Sequence, residues 1–158
     1  AEGTPYYDGV LRTYKMLRVM ESVRATEGNK GVFALYWELG ARIHHDKDRE
    51  FDIADALEAA GLPAMHAEAF EDERFDTEIR SRHDAGLALT GDDVGTPIIA
   101  MDTPGGRQGI FGPVITAVPN SEDSLRLWDG MVAMMSVDGF WELKRTRTRR
   151  PEFPARPE

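Results

Sequence analysis

The sequence predicts an α/β chain that is mostly helical, with one β-hairpin belonging to an incomplete sheet. Three observations predict it. Apolar residues recur at helical spacing in five segments up to about residue 91. A proline then directly precedes an apolar, β-branched run, Pro97-Ile98-Ile99-Ala100-Met101, and proline belongs only at the start or edge of a strand. A Gly-rich turn, a second short apolar run and a single long amphipathic helix complete the chain. A two-stranded hairpin alone is marginal in water. Ile98 to Met101 is apolar at every position, as in a strand covered on both faces. The sheet is therefore short of partners: either another chain supplies strands, or part of the protein lies outside this sequence.

The elements follow in order. Thr4-Pro5 is an N-cap followed by a first-turn proline. Tyr7, Val10, Leu11, Tyr14, Leu17 and Met20 form the expected buried stripe of a first helix running to about Ala25, with Gly28 as its stop. Asn29 caps a second helix with Val32, Leu35, Tyr36, Leu39 and Ile43 inward and Phe33 and Trp37 widening the stripe. Asp52 opens a third helix with Ile53, Ala56, Leu57 and Ala60 inward, and Gly61-Leu62-Pro63 closes it. Met65, Ala69 and Phe70 mark a small fourth helix. Asp72 caps a fifth, carrying Phe75, Ile79, Arg82 or His83, and Gly86, with Gly91 just past its end. Pro97 to Met101 is a strand, Asp102 to Arg107 a turn, and Gly109-Ile110-Phe111 a second strand. Ser121 caps the last helix, which buries Leu125, Trp128, Met131, Val132 and Met135.

Composition narrows the function. The 158 residues suit one domain or part of one. Mean hydropathy is −0.44 and no apolar run approaches the length of a membrane span, so a soluble chain is expected. Ala1-Glu2-Gly3-Thr4 shows neither a signal-peptide pattern nor an initiator Met, so a processed or truncated start is expected. A net charge of −9 disfavours general nucleic-acid binding. These residues include no cysteine, which excludes disulfides, thiolate metal sites and thiol nucleophiles within them.

Several residues invite more than one interpretation. His44 and His45 sit at a helix C-terminus, where a dipole effect alone accounts for histidine. With Asp46 and Asp48 they lack metal-ligand spacing, so no metal site is expected and the stretch reads as a solvated loop. Lys144, Arg145, Arg147, Arg149 and Arg150 form a basic cluster in an acidic chain, expected to be a solvated or self-docking tail anchored by Phe140 and Trp141. Tyr6, Tyr7, Tyr14, Tyr36 and Trp37 read mostly as helix core, although one or two could line a cleft.

The stretch Val94-Gly95-Thr96-Pro97-Ile98-Ile99 resembles the Thr–cis-Pro strand opening of thioredoxin-fold proteins, which faces the redox disulfide. Further pieces extend the likeness: Gly40-Ala41-Arg42-Ile43-His44, Ala56 to Pro63, Gly91-Asp92-Asp93, Phe111-Gly112-Pro113-Val114, Leu127-Trp128-Asp129 and Phe140 to Thr148. In this order they resemble the second half of the DsbA-like thioredoxin-fold oxidoreductases, in the actinobacterial branch that includes the mycothiol-dependent (nitro)reductases. The family's opening β-α-β unit, with Cys-x-x-Cys at a helix N-terminus, has no counterpart here.

The resemblance implies a thioredoxin-like fold of DsbA type with a helical insertion over 4–91. It places the closing β-β-α at 92–137 and a basic, Pro-rich tail at 138–158. It implies a fragment of a cytoplasmic thiol-disulfide oxidoreductase with mycothiol as co-substrate, itself without redox activity because it has no Cys-x-x-Cys. Gly95, Thr96 and Pro97 are then substrate-binding loop residues, and His44 is a candidate proton relay. The implied partner is a small thiol or disulfide, with no nucleic acid, no membrane, no bound cofactor and a homodimer as a further expectation. Two alternatives stand beside it. One is part of an enzyme resembling hydroxychromene-carboxylate isomerases or kappa-type glutathione transferases. The other is a helical binding module.

Overall fold

Thr4 opens the first helix as expected, its hydroxyl accepting a hydrogen bond from the Tyr7 amide at 3.3 Å in the computed structural model, which describes residues 3–156. Residues 1 and 2 of the expected start, and 157 and 158 of the expected tail, lie outside the described residues. The helices are α1 (Pro5–Gly40), α2 (Ile53–Ala59), α3 (Asp76–Thr90) and α4 (Ser121–Met135). A π-helical turn (Ala41–Asp46) and two 3-10 helices (Ala64–Glu71 and Glu73–Phe75) lie between the first three. The strands are β1 (Ile98–Thr103) and β2 (Gly106–Phe111). The chain divides into two units: one runs to Ser81 and takes in the chain from Pro154, and the other is Arg82–Phe153.

In the first unit α1 breaks at Gly28, whose φ of 64° and ψ of −163° are non-helical. A straight helix would hold Met16 and Leu39 about 35 Å apart, at about 1.5 Å per residue. Instead Met16, Val19 and Val23 of the first arm share one core with Leu35 and Leu39 of the second and with Phe51, Ile53, Ala56 and Leu57. Gly31 lets the arms meet, because a Cβ there would collide with Glu27 and Val23. The break matches the expected stop, but the buried faces differ from expectation. Tyr7, Val10, Leu11 and Leu17 are exposed, and so are Phe33, Tyr36 and Trp37. Each arm carries more apolar surface than one stripe, and the partner arm selects Met16–Val19–Val23 and Leu35–Leu39.

Asp52 caps α2 through the Ala54 amide at 2.7 Å. Gly61, at φ 72°, ends it in a Schellman motif, with Leu62 N donating to Leu57 O and Gly61 N to Glu58 O, both at 2.9 Å. The next segment is a 3-10 helix rather than the expected α-helix. Its three-residue period buries His66 with Ala69 and partly buries Ala67 with Phe70, leaving Met65 exposed. Asp72 accepts from the Arg74 amide at 3.0 Å and starts the run into α3.

In the second unit β1 and β2 pair antiparallel from Ile98↔Phe111 to Thr103↔Gly106. The turn is only Pro104-Gly105, shorter than expected, because the ladder continues through Asp102↔Arg107. A 3.1 Å ion pair between those residues and a 2.8 Å bond from the Thr103 hydroxyl to Gly106 O hold the tip. Part of α3 covers one face: Gly86 lies against Ile98, and Leu89 fills the space left by Gly109. No third strand joins the sheet among the described residues, so β1 is half-buried rather than fully covered. Asn120, not Ser121, caps α4, accepting from the Asp123 amide at 2.8 Å. Met131 and Met135 are buried, while Leu125 and Trp128 are exposed against expectation. Trp141 is 87% exposed and does not anchor the tail; a 2.7 Å backbone bond from Glu152 N to Thr116 O ties it instead. No described helix is long and apolar enough to cross a membrane.

Candidate functional site

The polar stretch before β1 delivers the chain to Gly95-Thr96-Pro97, all three exposed. The Thr96–Pro97 peptide is cis. Pro97 O accepts from Gly112 N at 2.8 Å, which extends the ladder one step past Ile98↔Phe111. Gly112 is buried with φ 107° and precedes a second cis proline, Pro113. A side chain cannot adopt that backbone without strain, which accounts for glycine there. The Phe111 ring stands beside Gly95, since a Cβ on Gly95 would lie 3.8 Å from its edge. The open end of the hairpin is thus two X-Pro turns flanking the strands, with Phe111 42% exposed beside them.

Pro97 commits its carbonyl to the ladder. Thr96 makes no hydrogen bond to another described residue, so its amide and carbonyl can receive an extended ligand. Nothing at this loop is a thiol, and the arrangement can bind and orient but cannot exchange electrons.

His44 belongs to the first unit, on the π-helical turn that ends the second arm of α1. Its carbonyl accepts from the Lys47 ammonium. Partial desolvation, and then the positive charges of Lys47, His45 and Arg49, push its pKa below the ordinary histidine value. The imidazole is therefore neutral near pH 7, the state a proton relay needs. Gly95, Thr96 and Pro97 come together as one loop in the second unit.

Two features of the first unit escaped the sequence. His66 is buried, with Ser22 Oγ 2.9 Å from Nδ1 and Thr26 Oγ1 3.3 Å from Nε2. Its i,i+3 relation to Ala69 was the available signal. Arg12 lies between the Phe51 and Phe70 rings, 5.4 and 5.6 Å from their centroids, and donates to Phe51 O at 2.6 Å. It lines an open cavity of about 480 Å³ that none of the sequence-predicted site residues borders. At the loop, the matching signal was the Gly112-Pro113 pair, which mirrors Thr96-Pro97 across the hairpin.

Against this geometry, residues 3–145 match the model of a family described as Rv2466c-like, mycothiol-dependent nitroreductase Rv2466c. The match takes in the loop, the hairpin and α4 and ends inside the basic tail. A mostly helical chain with one two-stranded antiparallel hairpin is consistent with the α/β thioredoxin-like fold.

Proposed function

Since the chain belongs to the Rv2466c-like family of mycothiol-dependent nitroreductases, we propose that it is part of a DsbA-type, thiol-dependent oxidoreductase. Gly95, Thr96 and Pro97 form the loop against which a small thiol or disulfide lies. The family match over residues 3–145 carries this reading. The unpartnered, exposed Thr96 supports it, because an extended thiol can pair with its backbone groups. Mycothiol is the co-substrate that the family description favours, and the thiol supplies the redox chemistry. The residues of the loop bind and orient it. Separately, His44 of the first unit, neutral near pH 7, is the candidate proton relay.

Disulfide exchange needs a thiolate, and these residues contain none. A nucleophile would then come from outside them, and we read this chain as part of a larger enzyme, with the cytoplasm as its proposed location. Within it, 4–91 is the helical insertion, 92–137 the closing β-β-α and 138–158 the tail.

The test is the intact mass and thiol count of the protein made from its native locus. A mass well above 17.7 kDa with a titratable thiol pair is expected. A mass of 17.7 kDa without thiols would sink redox catalysis by this protein.

A further inference from the structure

The chain returns to the first unit at Pro154, and there it meets the π-helical turn Ala41–Asp46. Pro154 O lies 2.6 Å from His45 Nδ1. A carbonyl only accepts, so this ring nitrogen carries the proton. Arg156 then reaches both ends of the turn. Its Nη2 donates to Glu38 Oε2 at 2.7 Å, and its Nε stands 3.8 Å from Asp46 Oδ2. Glu38 precedes the turn and Asp46 ends it, with His44 between them in sequence. The other Glu38 oxygen accepts from Arg42 Nε, inside the turn, at 2.7 Å. Burial works against the Glu38 charge, but the bonds from Arg156 and Arg42 outweigh it and hold the carboxyl below its ordinary pKa.

We propose that Pro154–Arg156 is a clasp on this turn, with Arg156 a positioning residue that fixes where His44 presents its ring. π-helical turns are rare and occur frequently at functional sites. This one ends on Lys47 at φ 62°, a conformation that persists in a side-chain-bearing residue only where the surroundings hold it. A lone exposed ion pair would hold little. Here one guanidinium bridges two carboxylates on either side of the turn, the Glu38 side chain only 14% exposed, and a neighbouring carbonyl takes a third group. The clasp lies past residue 145, where the family match ends. Its effect on catalysis rests on the reading of His44 as the relay; the clasp itself does not.

Arg156→Ala in the intact protein, made from its native locus, tests it. Amide exchange over residues 42–46 should quicken while α2 keeps its protection. His45 should lose its preference for the Nδ1–H tautomer, read from the NMR shifts of its ring nitrogens. In mycothiol-dependent turnover kcat should fall, by up to about 10²-fold for a misplaced group, with KM unchanged. His44→Ala should lower kcat in the same way. Unaltered exchange and an unaltered tautomer overturn the clasp. Full kcat in Arg156→Ala beside a fall in His44→Ala overturns the positioning role and leaves the relay standing. Full kcat in His44→Ala instead removes the relay and the positioning role together, and exchange and tautomer then decide the clasp alone.

Discussion

His44 shows how the surroundings of one side chain can set its protonation state. A helix C-terminus favours the imidazolium, yet partial desolvation, and then the positive charges of Lys47, His45 and Arg49, disfavour it here. The folded pKa lies below the unfolded value. The stabilising effect is therefore complete above the ordinary histidine pKa and is lost as pH falls through the folded one. An NMR titration of His44 should show its midpoint below about 6.5, the unperturbed value. Lys47→Ala should move that midpoint upward, and an unchanged midpoint would remove the electrostatic account. Arg18 and Asp76 make the opposite case. Their two bonds, at 2.7 and 2.9 Å, hold the Asp76 carboxyl below its usual range. No spacing announced that pair, since the partners stand 58 residues apart in sequence.

At the level of elements, breaks and packing faces behave differently. Gly28 lies where side chains rarely go, so Gly28→Ala should cost about 1–3 kcal/mol of stability, read from denaturant unfolding. A change below the error of that measurement would mean the arms turn by another route. Gly109 is set by packing. A Cβ there would stand 2.5 Å from the Leu89 Cβ, so Gly109→Val should cost about 1–3 kcal/mol by overpacking. It should also loosen the contact of α3 with β2, seen as faster amide exchange in both. The residue opposite, Ala100, is small as well, which leaves room for Leu89 on that face. The glycine is visible in the sequence, but the leucine that demands it is not.

On the scale of the molecule, composition and topology converge. A chain with no cysteine that matches a thiol-dependent family must meet its thiol from outside these residues. Among the described residues the sheet has two strands, and a two-stranded hairpin alone is marginal in water. The mass and thiol count of the protein tests where that thiol comes from. The exposed Trp37, Trp128 and Trp141 show that much apolar surface stays uncovered in both units. For this reason the helical periodicity overstated burial: it marks which surfaces are apolar, not which of them meet a partner.

Capping by Thr4, Asp52 and Asp72, the stops at Gly28, Gly61 and Gly91, the proline-led strand and the absence of thiols were all legible from the residues alone. Each depends on the chemistry of a few neighbouring positions, where a hydroxyl, a carboxylate or a missing Cβ acts locally. The family likeness was legible for the same reason, carried by short motifs such as Gly95-Thr96-Pro97. Tertiary structure decided the rest. It selected Val19 and Leu35 over Leu17 and Tyr36 for the core. It tightened one helix to a three-residue period and buried His66, and it carried the ladder out to Thr103↔Gly106. Those outcomes depend on what lies across the gap, and distance along the chain gives no measure of that.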